Sequence, residues 1–204
     1  MRYFIKNFSI VLIIFVMLFS FSTISYADSA HVFACSQVNS YLEHRIYASC
    51  GFEDLNYSTV CSYGAVTKSS VMDWINASSD NYGFYICTVG DPGRFYDYYG
   101  NTITPSEISG NWHLVFLDCG YSASSSAFAT AFRTSGYSNR AFLGWSTSLN
   151  ASDSLEFNYY FWHDYVTETT IRLAAIYAAS NVPGDGTTPI RFYGDENWQG
   201  YSWT

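Results

Sequence analysis

Apolar residues alternate along the chain between short continuous runs and stripes with helical spacing. Two runs are nearly continuous, at residues 82–89 and 112–118, as in central strands that are covered on both faces. Shorter apolar segments predict four further strands, at residues 31–34, 57–63, 140–145 and 189–193. Because strands and helical stripes alternate, the pattern predicts a mostly parallel sheet in a three-layer α/β/α sandwich.

Helical spacing between these segments predicts five helices. The first carries Val38, Tyr41, Leu42 and Ile46 as its apolar stripe and ends near Gly51. The other four are expected to open with a capping box of Ser70 and Asp73, to span residues 124–133, to begin at Asp153, and to begin at Thr167. The segment at 90–111 is rich in Gly, Asn and Tyr and is predicted to be a long loop that covers a cleft.

The first 27 residues have the pattern of a secretory signal peptide. Arg2 and Lys6 precede an apolar run at residues 8–21, and Ser25-Tyr26-Ala27 offers small residues for cleavage. An uncleaved membrane anchor is the alternative, although the run is shorter than the ~20 residues that a span needs. We therefore predict a secreted protein in which residues 28–204 form one domain with no membrane segment.

Charge and cysteine usage narrow the classes of partner. Without the leader, seven basic against seventeen acidic residues give a net charge of −10, which repels nucleic acid. The sequence has no Gly-rich phosphate loop, and its Cys and His spacings match no zinc pattern, so we expect no cofactor and no metal. Five cysteines leave at least one unpaired within the chain, and any disulfide is expected to involve Cys35, Cys50 or Cys61.

The candidate chemistry lies where the two central strands end. One strand runs into Thr88-Val89-Gly90-Asp91-Pro92-Gly93, and the other runs into Asp118-Cys119-Gly120-Tyr121-Ser122-Ala123. Sites in α/β proteins form beyond the carboxyl ends of the strands. Two such turns side by side are where a cysteine–histidine dyad could be assembled.

These turns resemble those of the caspase-like, or clan CD, cysteine peptidases, a group that includes caspases, metacaspases, gingipains and clostripain. In that group one strand ends in His-Gly and the next in an Asp-x-Cys-x-Ser-Gly type of turn. The resemblance covers roughly residues 67–193 and implies that Val89 replaces the histidine and Gly120 replaces the cysteine. It further implies that the strand ending at Trp145 borders the specificity pocket. A catalytically inactive homologue that acts by binding is therefore expected.

An active cysteine peptidase is the first alternative, with Cys119 as a displaced nucleophile and Asp91 and Asp118 nearby. Neighbouring residues of a strand point to opposite faces, so Cys119 is expected to face away from the side that Gly120 serves. No histidine is an obvious base for its thiol. Asp118 is better explained as holding its turn through hydrogen bonds to backbone N–H groups.

A secreted carbohydrate- or cell-wall-binding module is the second alternative. The chain has 19 tyrosines and 6 tryptophans, and exposed rings form platforms for sugars or peptides. Tyr98 and Tyr99 are the strongest candidates. Other rings that could extend the platform are Tyr96, Trp198, Tyr201 and Trp203. A peptide or a cell-surface polymer is thus the expected partner, and the sequence does not predict an oligomeric state.

Overall fold

The computed structural model describes residues 28–76, 82–182 and 189–201, so the predicted signal peptide and Trp203 lie outside the described residues. In chain order the strands are β1 Ser29–Cys35, β2 Ser58–Gly64, β3 Tyr82–Cys87, β4 Gly90–Asp91, β5 Arg94–Tyr96, β6 Thr102–Ile103, β7 Leu114–Asp118, β8 Ala141–Trp145 and β9 Ile190–Gly194. Six of them form a central sheet in the order β2-β1-β3-β7-β8-β9. All neighbours pair in parallel except β9, which is antiparallel to β8. The predicted, mostly parallel α/β sheet is confirmed.

Helices cover both faces of this sheet. The helices are α1 Tyr41–Asp54, α2 Lys68–Ile75, α3 Ala127–Ala131, α4 Ala151–Tyr159 and α5 Ile171–Asn181, with a 3-10 turn at Pro105–Glu107 and a π-helical turn at Tyr160–Tyr165. One buried cluster joins the sheet to α1, α4, the π-helical turn and α5, and a second joins it to α2 and α3. No helix among residues 28–76, 82–182 and 189–201 is long and apolar enough to span a membrane.

Strand β7 shows why its sequence is a continuous apolar run. Leu114 and Phe116 pack into the cluster on the α1 side, whereas Val115 and Leu117 pack into the cluster on the α2 side. Successive side chains of a strand point to opposite faces, so a strand buried between two helical layers needs apolar residues at every position. The same alternation continues to the end of the strand and decides which way the site residues point.

The starts of α2 and α5 differ from the sequence predictions. The capping box of α2 is formed by Thr67 and Ser70, not by Ser70 and Asp73, because the Thr67 side chain accepts from the Ser70 N–H while Ser70 Oγ accepts from the Thr67 N–H. Helix α5 begins after an N-cap at Thr170 rather than at Thr167. Several hydroxyl residues precede each helix, and composition alone does not choose among them.

Helix α1 buries a different face from the one predicted. The apolar residues Leu42 and Ile46 are 40% and 46% exposed. Toward the sheet the helix instead buries His44, Ala48, Gly51 and Phe52. Gly51 is needed at this contact because a Cβ there would lie 2.3 Å from the Trp162 ring. Leu42 and Ile46 were therefore wrongly predicted to face the core, whereas Val38 and Tyr41 do pack against it. A histidine faces the core from this helix.

The predicted loop at 90–111 contains a small antiparallel sheet. Strands β4, β5 and β6 pair in that order, and Phe95 and Ile103 are buried on the α2 side of the core. The buried carboxylate of Asp97 accepts hydrogen bonds from the backbone N–H of Lys68 at 2.7 Å and of Asn101 at 2.7 Å. Because Lys68 opens α2, Asp97 ties this small sheet to that helix beside the carboxyl edge of the central strands.

Candidate functional site

A cleft of about 290 Å³ opens at the carboxyl ends of β3 and β7. Sites in open α/β sheets form at this edge, so the position agrees with the predicted one. The lining residues come from the segment after β1, from the ends of β3 and β7 with the turns that follow them, and from the start of α4 with the segment before it: Gln37, Val38, Asn39, Cys87, Thr88, Val89, Gly90, Asp118, Cys119, Gly120, Ser148, Leu149, Ala151 and Ser154.

The turns after β3 and β7 approach each other closely at two glycines. A Cβ at Gly90 would lie 2.5 Å from the carbonyl oxygen of Gly120, so a side chain there would push the turns apart. A Cβ at Gly120 would meet only ordinary contacts, at 3.4 Å from Ser148 Cα and 3.6 Å from the Gly90 oxygen. The preceding Val89 is 47% exposed and lines the same cleft. The cleft therefore has room for a side chain at position 120.

Cys119 reaches the cleft wall but is nearly inaccessible, at 2% exposure. It packs into the α2-side cluster, whereas Asp118 before it turns toward α1 and α4. Burial raises the pKa of the Cys119 thiol well above its ordinary value, and the charge of Asp118 raises it further. A buried thiol that stays protonated is a poor nucleophile.

The four histidines lie in different parts of the fold. His113, just before β7, packs edge-on against Trp198 at the opposite end of the strand from the cleft. His163 is exposed and bonds Asp164, while His31 stacks on the Trp74 ring with centroids 3.9 Å apart. Only His44, on α1, faces the carboxyl end of β7, where its Nδ1 lies 2.9 Å from Asp118 Oδ2.

Asp118 is the centre of a buried polar group that we call the Asp118 cluster. Side-chain donors among the described residues surround both of its oxygens: Trp145 Nε1 (2.8 Å) and Ser154 Oγ (2.6 Å) at Oδ1, and the Tyr85 hydroxyl (2.7 Å), Asn158 Nδ2 (2.8 Å) and His44 Nδ1 (2.9 Å) at Oδ2. Burial alone would raise the pKa of Asp118, but hydrogen bonds and the charge of His44 outweigh it and hold the pKa below its ordinary value. The expectation that Asp118 holds its turn through backbone N–H groups is corrected, since these side chains are the donors.

Trp145 does not have the ligand-binding place predicted for it, and the Asp91 carboxylate is engaged by another side chain. Trp145 is fully buried and its indole N–H donates to Asp118, so it supports the sheet edge and offers no surface to a ligand. Asp91 is exposed in β4, and its carboxylate accepts a hydrogen bond from the Tyr96 hydroxyl. That carboxylate is therefore engaged within the small sheet.

The predicted aromatic platform is divided between two ends of the molecule. Tyr98 and Tyr99 pack edge-to-face with ring centroids 5.2 Å apart, and Tyr99 is 67% exposed. The side chain of Gln37, which lines the cleft, donates to the Tyr98 carbonyl, so this pair stands at the cleft rim. Trp198, in contrast, is buried beside His113 at the far end of β7.

The structure also groups three potential metal ligands that the sequence did not bring together. His44, Cys87 and Asp118 are all buried, and one ligand atom from each lies within 4.8 Å of the others. They come from α1, β3 and β7, where Cys87 and Asp118 are register partners on neighbouring strands. Because the three residues come from separate elements, they form no short metal-binding motif in the sequence. The one feature of the sequence that could have indicated this group is a histidine, His44, at a helical position that turns out to be buried.

All five cysteines are free thiols. Cys87 packs on the α1 side and Cys119 on the α2 side, as the alternation of strand side chains requires. Cys61 on β2 lies 2.9 Å from the Ser49 hydroxyl of α1, and Cys50 is exposed. The described residues thus contain no disulfide at Cys35, Cys50 or Cys61.

Comparison with known proteins identifies the fold of this chain but no family from its sequence. Neither protein-family models nor curated proteins match the sequence. Among solved structures, caspase-1 from Spodoptera frugiperda is similar, with a TM-score of 0.57 and 9% identity over 86% of this chain and 90% of that one. The Arg-specific cysteine proteinase gingipain R has a TM-score of 0.57 and 10% identity, and this chain spans 47% of its length. The chain therefore has the caspase-like fold of the clan CD cysteine peptidases.

Proposed function

We propose that this protein is an exported caspase-like domain that binds peptides in its cleft without cleaving them. Val89 and Gly120 stand in the places of the histidine and cysteine of active relatives. The observation that carries the proposal is that both positions line an open cleft at the ends of β3 and β7, and neither has a titratable side chain. Valine cannot move a proton and glycine has no nucleophile, so the cleft keeps its shape without a dyad.

Cys119 does not supply the missing nucleophile. Its thiol is 2% exposed and packs toward α2, and burial raises its pKa. Activation needs a base or a positive group beside the sulfur. The histidine nearest this edge, His44, bonds Asp118 on the other face of the sheet. An active peptidase that uses Cys119 is therefore disfavoured.

The cleft lining favours a hydrogen-bonding ligand that has no acidic groups. Gln37, Asn39, Thr88 and Ser148 bring amides and hydroxyls to it, and no lysine or arginine is among the lining residues that the structure describes. Such groups recognise peptide backbone by hydrogen bonds. An aromatic residue of the ligand that leaves the cleft could stack on the exposed ring of Tyr99 at the rim.

Activity of the purified protein on a mixed peptide library, with and without a thiol alkylator, tests the loss of catalysis. We expect no cleavage above the rate of a heat-denatured sample. Alkylator-sensitive cleavage that disappears in Cys119→Ala would overturn the proposal, because it would show a working nucleophile one residue from the expected position.

Restoring the dyad tests the assignment of the two positions. A thiol introduced by Gly120→Cys has room in the cleft, and in the double variant with Val89→His it gains a neighbouring base. We expect iodoacetamide to alkylate this thiol at least tenfold faster in the double variant than in Gly120→Cys alone. Equal rates would show that position 89 does not face position 120.

Binding of carbohydrate at the exposed tyrosines is the competing function. Retention on insoluble polysaccharide that is lost in a Tyr98→Ala, Tyr99→Ala variant would favour it. Tyr137→Ala is the matched control, because Tyr137 is 51% exposed and lies outside the cleft. Export is tested separately by sequencing the amino terminus of the protein recovered from the medium, which we expect to begin after Ala27.

A further inference from the structure

The three buried side chains beneath the cleft form a donor set that has no evident role in binding a peptide. His44, Cys87 and Asp118 offer an imidazole nitrogen, a sulfur and a carboxylate oxygen, all within 4.8 Å of one another. These are the three ligand types that zinc uses in proteins. Cys87 and Asp118 also line the cleft, which gives an ion a path from solvent.

The charges of this set match a divalent cation. A thiolate on Cys87 and the carboxylate of Asp118 carry two negative charges, and a neutral His44 adds none, so one divalent ion gives a neutral buried site. Without an ion, the Asp118 carboxylate is buried with His44 as the basic group that contacts it. A divalent ion would compensate the charge of this carboxylate and of the thiolate that binding creates.

The surrounding hydrogen bonds would orient the ligands. Trp145 and Ser154 hold Oδ1 of Asp118, and Asn158 holds Oδ2, in the way that outer hydrogen bonds fix carboxylate ligands in metal sites. The His44 imidazole is oriented by the contact of its Nδ1 with Asp118. Its other nitrogen, Nε2, is buried and makes no hydrogen bond to the described residues. The carboxylate and the imidazole are thus already fixed near each other.

The Tyr85 hydroxyl is the one group that must turn. It donates to Oδ2 of Asp118 at 2.7 Å and lies 3.2 Å from His44 Nδ1, so it occupies the space beside both ligand atoms. A turn of the Tyr85 side chain that moves its oxygen away from both atoms would free Oδ2 and His44 Nδ1 for the ion.

We propose that His44 Nδ1, the Cys87 thiolate and a carboxylate oxygen of Asp118 bind one zinc ion, with the fourth position open to a water molecule in the cleft. Binding releases the thiol proton of Cys87 and requires His44 Nδ1 to carry no proton, and no electron is transferred. Zinc uptake should therefore strengthen as the pH rises. Three protein ligands and one open position are the arrangement of sites that keep a place for an exchangeable ligand.

Cobalt(II) titration of the chelator-treated full chain tests this site, since cobalt reports a thiolate ligand through a near-ultraviolet charge-transfer band. We expect one cobalt per chain, with the band present. Zinc should displace the cobalt and abolish the band. Cys87→Ser should lose the band, and His44→Gln should weaken binding at least tenfold. Cys119→Ser, which removes the other thiol of the cleft wall, should keep both the band and the affinity.

Two results would overturn the proposal: no stoichiometric cobalt or zinc binding by the folded chain, or a band that survives in Cys87→Ser. Because Cys87→Ser removes a buried group and could fail to fold, a second measurement uses the unsubstituted chain. X-ray absorption at the zinc edge should show one sulfur at about 2.3 Å and the remaining ligands at about 2.0–2.1 Å. A first shell with no sulfur would exclude Cys87. Peptide binding is measured separately, so failure here leaves the proposed function standing.

Discussion

Replacement of Asp118 by asparagine removes the acceptor on which the buried polar cluster depends. The amide offers one oxygen where the carboxylate offers two. If its NH₂ replaces Oδ1, the rigid Trp145 indole N–H is left without an acceptor. If it replaces Oδ2, the N–H groups of Asn158 and His44 are left instead. The hydroxyls of Ser154 and Tyr85 can turn to accept, but these N–H groups cannot.

The expected loss of stability follows from the number of N–H donors that are left without an acceptor. One orphaned buried donor costs about 1–3 kcal/mol, and hydrogen bonds that had a charged acceptor lose part of their 1.5–3 kcal/mol. We therefore expect Asp118→Asn to lower the free energy of unfolding by about 3 kcal/mol, a fifth or more of the total of a typical domain. Urea denaturation at pH 7, followed by far-ultraviolet circular dichroism in the presence of a chelator, measures this difference without any metal.

Asp91→Asn is the matched control. It makes the same change of charge at an exposed carboxylate that accepts one hydrogen bond from Tyr96, and it should alter the free energy of unfolding by less than about 0.5 kcal/mol. If Asp118→Asn also stays within 1 kcal/mol of the unsubstituted chain, the Asp118 cluster does not hold the sheet edge together and the reasoning fails.

Three further predictions concern the turns, the thiols and acid stability. Gly90→Ala should lower the free energy of unfolding by about 1–3 kcal/mol, because its Cβ would lie 2.5 Å from the Gly120 oxygen; an unchanged melting temperature would contradict that contact. Iodoacetamide should modify the exposed Cys50 at least tenfold faster than the buried Cys119, as measured by peptide mass spectrometry, and equal rates would show that the Cys119 turn opens. Burial alone would raise the pKa of Asp97, but hydrogen bonds from Asn101, Lys68 and Tyr99 hold it below its ordinary 3.8. Its stabilisation is therefore complete above that pH and is lost as the pH falls through the lowered value, so acid unfolding curves of Asp97→Asn should be flatter than those of the unsubstituted chain, and parallel curves would refute this.

The central strands were predictable because burial on both faces forces apolar residues into every position. Residues 112–118 show this most clearly, and the turn after them identified the fold. The small sheet at 90–111 was missed for the opposite reason. Its strands β4 and β6 have two residues each, too few for any period to be visible, and the carboxylate of Asp97 fixes the turn between β5 and β6.

The position of His44 could not be read from hydrophobic spacing. Leu42 and Ile46 gave α1 a plausible apolar stripe, yet both are partly exposed, while Ala48 and Phe52 face the core with the histidine. Hydropathy scales rank histidine as polar, so a helix face that contains one is not predicted to be buried. The partner that makes this burial possible, Asp118, is remote in the sequence, and only the fold brings the two together.

The Asp118 cluster also has a consequence for the order in which the chain folds. Its donors are distributed from His44 to Asn158, so they gather around the carboxylate only after α1, β3, β8 and α4 have all docked on β7. An intermediate that lacks any one of these elements holds a buried carboxylate with an incomplete set of donors. The cluster therefore stabilises the complete fold and not its partly folded intermediates. It should slow unfolding more than it speeds folding.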